Sequence, residues 1–318
     1  MNVKLFIGSL VMMFYLGSCT SEIEVHFDKI PEKIVLNAIL HPDSLITAHV
    51  SHSIQVGEDI STSYLNDAVV EVSINGIPQG RMERAEDNGF YRLPGMFPKA
   101  GDRIRMDVSS PEYEAASSEV VFPGKVDILS VDTTSNVHLS DWLTRDIRLQ
   151  VRFKDPPAEK NYYLLAIIPE TIEIEGGKES SYSSYVSVNL KEEIIFENNR
   201  QTPEGWDYSE SSNRGIFRDE QISGQEYTLK VTVERCSYST ETERGSITNK
   251  LKIRLYSVSD SFYRYQLSYM RKEDADNNFG NSGLKEPVQL YSNIENGYGL
   301  FTGIQMSEYE IVLPFQGN

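Results

Sequence analysis

Ile147-Arg148-Leu149-Gln150-Val151-Arg152-Phe153 decides the fold class: every second residue is apolar and every residue between is polar or charged. Side chains of a strand point alternately to its two faces, so this stretch buries one face and wets the other. The same period returns in Ile104, Met106 and Val108, in Tyr227, Leu229, Val231 and Val233, and in Leu251, Ile253 and Leu255. Strands with one wet face belong to antiparallel sheets. Val70, Val72 and Ile74 lead into Asn75-Gly76, a two-residue hairpin signal. Tyr162 to Ile168 is apolar at both parities and reads as a central strand, covered on both faces.

One segment departs from period two. Phe262, Tyr263, Gln266, Leu267 and Met270 trace a helical stripe behind Ser259-Asp260, which supplies capping oxygens. A helix is expected over 259–276, ending where Asn277-Asn278-Phe279-Gly280 begins a polar loop. Pro123-Gly124 stops the strand Glu119–Phe122 and marks a boundary. The fold expected is mainly β: a β-sandwich domain of immunoglobulin-like or prealbumin-like build over 31–123, then a larger antiparallel β-rich domain over 124–318 with one helix.

The N-terminus reads as an address. Lys4 precedes the apolar run Leu5 to Leu16, and Leu16-Gly17-Ser18-Cys19 follows. The run is too short for a permanent span and fits a secretory signal over 1–18. Leu, two small residues and Cys form the pattern of a bacterial lipoprotein signal, in which the cysteine is acylated. Cys19 is therefore the expected lipidation site, residues 19–30 a lipidated tether, and the bilayer a partner through the acyl chains. The expected address is outside the cytoplasm, with the folded part held on a membrane by lipid.

Charge and cysteine content narrow the classes. The chain carries 47 Asp and Glu against 30 Lys and Arg, a net charge of −17. Such a surface repels nucleic acid and anionic lipid alike. With Cys19 lipidated, the other cysteine, Cys236, has no partner for a disulfide, and it reads as a strand-end residue without nucleophilic company. Stability must then come from core burial.

No nucleophile elbow, phosphate loop or His-Glu-x-x-His zinc motif is present, so no catalytic residue is assigned and no cofactor is expected. Asp274, Asp276 and Asn278 have the first spacings of a calcium loop, but the glycine falls at the seventh position and Lys285 at the twelfth. A polar helix-ending loop is the competing reading. Trp206, Tyr208 and Phe217 lie in a polar insertion over 200–220 and are candidates for a contact surface, against ordinary sheet packing.

Asn66-Asp67-Ala68-Val69-Val70-Glu71-Val72, Asn88-Gly89-Phe90-Tyr91 and Gly101-Asp102-Arg103-Ile104-Arg105-Met106-Asp107-Val108 resemble a prealbumin-like or carboxypeptidase-regulatory sandwich. Glu286-Pro287-Val288, Ser292-Asn293-Ile294-Glu295-Asn296-Gly297 and Gly299-Leu300-Phe301-Thr302-Gly303 resemble the ending of a Bacteroidota outer-membrane lipoprotein family known as domain of unknown function 4249. The resemblance implies an outer-membrane location, on its periplasmic or its cell-surface face, and a role beside a TonB-dependent receptor; it supplies no catalytic residue set. The function expected is a non-catalytic accessory binding subunit with an outer-membrane protein partner. A surface adhesin or assembly subunit is the alternative, and a hydrolase using a carboxylate pair a third. The apolar, glycine-rich stretch Asn293–Gly303 is expected to plug one end of the second domain against the helix, with a binding loop as the competing reading.

Overall fold

The computed structural model describes residues 30–55, 63–137, 144–157, 159–183, 186–197, 214–242, 245–279 and 288–314. Contacts divide the chain into Met1–Pro31 and Glu32–Asn318, and the architecture is that of the second unit. The protein is mainly β, with one α-helix among the described residues.

In the first half, strands β1 (Ile34–Leu40), β2 (Thr47–His52), β3 (Val69–Ile74), β4 (Ile77–Arg81), β5 (Glu83–Arg84), β6 (Phe90–Arg92), β7 (Arg103–Ser110) and β8 (Tyr113–Val121) succeed one another. β4-β3-β7-β8 form a four-stranded sheet, and β1-β2-β6-β5 run in a second sheet. Their inward residues meet in one core: Leu36 and Val50 from one layer, Val70, Ile104, Met106 and Val108 from the other. The hairpin expected at Asn75-Gly76 joins β3 to β4, with φ of 54° and 77° at the two turn residues. Asn75 accepts the Arg103 N–H at 3.0 Å and donates to Asp102 at 3.0 Å, fastening the turn to β7.

The second half adds β9 (Ile128–Val137), β10 (Thr144–Lys154), β11 (Tyr162–Glu175), β12 (Lys178–Tyr182), β13 (Ser187–Asn189), β14 (Arg214–Arg218), β15 (Glu226–Ser237), β16 (Thr240–Thr242), β17 (Gly245–Val258), helix α1 (Asp260–Phe279) and β18 (Tyr298–Val312). β13-β15-β10-β9 make another four-stranded sheet. It packs on β11 and β17 through Leu149, Val151, Phe153, Leu229 and Val231 on one side and Tyr163, Leu165, Ile253 and Leu255 on the other.

Both four-stranded layers lean on one shared wall. The order β12-β11-β17-β18-β1-β2-β6-β5 is a single ten-stranded sheet once β14 (on β11) and β16 (on β17) are included. Buried residues change from one core to the other at Pro123-Gly124: Phe122 belongs to the first and Val126 to the second. The strand ladder does not break there. β1 and β18 lie side by side in parallel, from Val35 opposite Tyr298 to Leu40 opposite Gly303.

That pairing corrects the expected role of Asn293–Gly303. It does not plug the second domain. Ile294 and Phe301 enter the first core, and Tyr298 onward is β18. Asn293 holds both backbone groups of Phe301, accepting its N–H at 2.9 Å and donating to its carbonyl at 2.8 Å. Glu295 and Ser117 exchange backbone hydrogen bonds at 2.8 and 3.2 Å, tying the segment to β8. Pairing with β1 and β8, both strands of the first core, is what draws these apolar side chains into it.

α1 begins close to where it was expected, with Ser259 accepting the Tyr263 N–H at 3.1 Å. The Ser259 hydroxyl is engaged with Ser261 at 2.9 Å and Thr302 at 2.6 Å, so it links the helix start to β18. α1 continues to Phe279, three residues past the expected end at Asp276, so the Asp274–Asn278 stretch is helix and not loop.

Gly299 has φ of 113°, and a methyl group there would lie 2.1 Å from the Leu36 carbonyl oxygen. Both facts demand glycine. Gly299→Ala should lower stability by about 1–3 kcal/mol, and Phe301→Ala, which empties a fully buried site, by about 3–5 kcal/mol. Urea unfolding monitored by fluorescence checks both; a midpoint unchanged in either variant contradicts the role given to the β1–β18 junction.

Candidate functional site

Alternation along β11, β14 and β17 leaves the shared sheet apolar on both faces in one region. Tyr163, Leu165, Phe217 and Leu255 face the second core, while Leu164, Ile216 and Val258 face the other way. α1 covers that second face with Tyr263, supported by the half-buried Phe262, Leu267 and Met270. The predicted stripe is therefore the packed face of the helix.

A neighbouring face of α1 stays open. Asp260, Arg264, Ser268 and Arg271 recur at spacings of four, four and three, which places them along one side of a helix. They form one wall of a groove of about 680 Å³. The opposite walls come from Lys160 and Tyr162 at the start of β11, from Arg218 at the end of β14, and from Gln289 to Ser292.

Most of these side chains are held in place. Arg264 pairs with Asp260 at 2.7 Å, one helical turn away. Arg218 lies 3.0 Å from Glu220 and 3.6 Å from the buried Glu197. Tyr263 donates its hydroxyl to Glu197 at 2.8 Å, and its ring lies 4.7 Å from that of Tyr162. Arg264 stands 5.9 Å from the centre of the Tyr291 ring. Ser268 accepts the Tyr291 N–H at 2.9 Å, which fixes the far wall to the helix. Burial, and then hydrogen bonding to Asp260, pushes the Tyr162 hydroxyl up to about 12. Burial also raises Tyr291. Both phenols stay neutral at ordinary pH and offer hydroxyls and ring faces, not charge. The groove lining thus holds four cations, Lys160, Arg218, Arg264 and Arg271, against one carboxylate, Asp260.

The residues singled out from sequence stand elsewhere. Phe217 is a correction: it is fully buried on β14, packed 5.1 Å from Tyr163 and 5.6 Å from Phe196, and so forms core instead of a contact surface. Arg214–Arg218 pairs with β11, and alternation along this short strand turns Phe217 into the second core. Trp206 and Tyr208 lie outside the described residues, as does Cys19. The backbone at Asp274, Asp276 and Asn278 is helical, where a calcium loop would have to turn. The groove residues escaped the sequence reading because the apolar stripe dominates this helix; the signal was the Asp260, Arg264, Ser268, Arg271 spacing.

Two further buried groups are structural. Asp155 is fully buried, accepts the Tyr163 hydroxyl at 2.5 Å and the Gly224 N–H at 2.8 Å, and has its carboxyl raised chiefly by burial. It closes the gap between β10 and β11 and has no access to solvent. Cys236 borders a smaller cavity of about 340 Å³ but is itself 2% exposed, and burial pushes its thiol up to about 12.

A family model described as Domain of unknown function (DUF4249) matches residues 20–310. The chain belongs to that family. None of the curated proteins matches this DUF4249 chain. Among solved structures, a biofilm associated protein B domain is 7% identical, covering 87% of this chain and 85% of its own, with a TM-score of 0.20. A likeness at that score carries no functional weight.

Cys236 should resist thiol reagents. With a thiol near 12, the thiolate is about one part in ten thousand at pH 8, and the side chain is covered. Iodoacetamide at pH 8 should label the native protein at least a hundredfold more slowly than the protein in 6 M guanidinium, roughly as global burial dictates. Rapid native labelling would show that the site opens.

Proposed function

We propose that this DUF4249 protein is a non-catalytic lipoprotein of the outer membrane, anchored through acylated Cys19, whose folded β unit binds a ligand or partner beside a TonB-dependent receptor. The observation that carries the reading is the N-terminal sequence: Lys4, the apolar run Leu5–Leu16, and Leu16-Gly17-Ser18-Cys19. Family membership over 20–310 supports it, because the match begins directly behind that cysteine. The groove supports a binding role. Its wall is cationic and aromatic, and its carboxylate, Asp260, is occupied by Arg264. Two carboxylates free to act as acid and base are what a hydrolase of the third kind would need.

The anchoring claim has a direct test. In Cys19→Ala the protein should move from the membrane pellet to the soluble fraction after a high-salt wash. No helix among the described residues is long and apolar enough to cross a membrane, so none of these helices holds the chain there. A variant that stays in the pellet contradicts lipid anchoring. Affinity purification of the wild-type chain from detergent extract should recover an outer-membrane receptor. Recovery of the chain alone, with polymers forming in the purified protein, would favour the assembly-subunit reading.

A further inference from the structure

The groove beside α1 has the wrong charge for its surroundings. The chain as a whole has 17 more acidic than basic residues. The groove wall reverses this, with four basic side chains and one acidic. Two of the four are already satisfied: Arg264 by Asp260, and Arg218 by Glu197 and Glu220. The other two, Lys160 and Arg271, are exposed, and their side chains have no ion pair or hydrogen bond among the described residues. In a chain with so large an acidic excess, two unpaired cations in one recess make a local positive field that attracts anions.

The rest of the lining specifies more than charge. Tyr162 and Tyr291 are half-buried and present ring area, with their hydroxyls neutral. Gln289 and Ser292 add side-chain amide and hydroxyl groups. Rings with an apolar face and a polar rim pack on tyrosine, and their hydroxyls pair with amides and hydroxyls. A volume of about 680 Å³ lies within the range of small-ligand pockets. The Tyr162 ring packs 4.7 Å from that of Tyr263, which Glu197 holds, and the Tyr291 backbone is bonded to Ser268, so the wall stands in place before any ligand arrives.

We infer that this groove binds a short acidic saccharide, its rings against Tyr162 and Tyr291 and its carboxylates paired with Lys160 and Arg271. The inference gives a ligand class to the proposed binding role and rests on that role.

Tetragalacturonate titrated into the full mature protein by calorimetry is the probe, with the neutral tetramer of galactose as its control. Tetragalacturonate should bind at least tenfold more tightly than the neutral sugar, and more weakly as salt is raised. A Lys160→Ala, Arg271→Ala double variant should lose at least tenfold in affinity at an unchanged melting temperature, since both side chains are exposed. Equal affinity for the neutral sugar, undiminished binding by the double variant, or no heat at millimolar ligand overturns the inference. Tighter binding of a tetraglutamate peptide also overturns it, and assigns the groove to an acidic protein segment. Recovery of a receptor with the double variant in detergent extracts reads the accessory role separately, so either claim can fail alone.

Discussion

Six residues of β1 lie parallel to six of β18, and the two strands are more than 250 residues apart in the chain. This ladder turns two sandwiches into one body. On one side of it stands the core built by β3, β7 and β8; on the other, the core built by β10 and β15. The contact is made at backbone level. Leu300 donates its N–H to the Asn37 side chain at 3.1 Å, and Gly299 sits where any side chain would strike the Leu36 carbonyl. Farther along, a methyl group on Gly303 would come 2.6 Å from the Phe122 ring. The glycines of this stretch are thus explained by close approach, and the apolar residues between them by the first core.

The shared sheet also creates the groove. Its β11, β14 and β17 region is apolar on both faces, one for the second core and one for α1. A helix laid on a sheet buries one stripe and leaves its flanks standing clear of the strands. Here one flank carries Asp260, Arg264, Ser268 and Arg271, and the strand ends bring Lys160, Tyr162 and Arg218 opposite. The hydroxyls of Ser259, Ser261 and Thr302, with the Phe301 carbonyl, lock the helix start to β18. The recess is therefore attached to the same strand that joins the cores.

Electrostatics separate this recess from the rest of the surface. Elsewhere the ion pairs are largely exposed cross-strand contacts, such as Arg103 with Glu119 at 2.7 Å and Lys250 with Glu310 at 2.8 Å. Exposed pairs of this kind contribute little to stability, typically about 0–1 kcal/mol. Their role is to neutralise basic residues in an acidic chain. The groove differs from that background in gathering four basic side chains and one carboxylate of the described residues into a single recess.

The sequence by itself determined the strands, the Asn75-Gly76 hairpin and the packed stripe of the helix. Each depends on a period of two or 3.6 residues, or on backbone angles that a few neighbouring residues dictate. It also determined the family, since the Asn- and Gly-rich ending is a local pattern. It misplaced Phe217, because a polar run before Arg214 hid a short strand whose partner, β11, lies some 50 residues earlier. It misplaced Asn293–Gly303, because apolar residues in a strand do not say which of two cores they enter. Tertiary structure alone decided the parallel β1–β18 ladder, the common wall behind both sandwiches and the cationic groove. Pairing at long range is set by which faces can be buried together, and the charge of a recess by residues gathered from 160, 218, 264 and 271. Neither quantity exists until the chain has closed on itself.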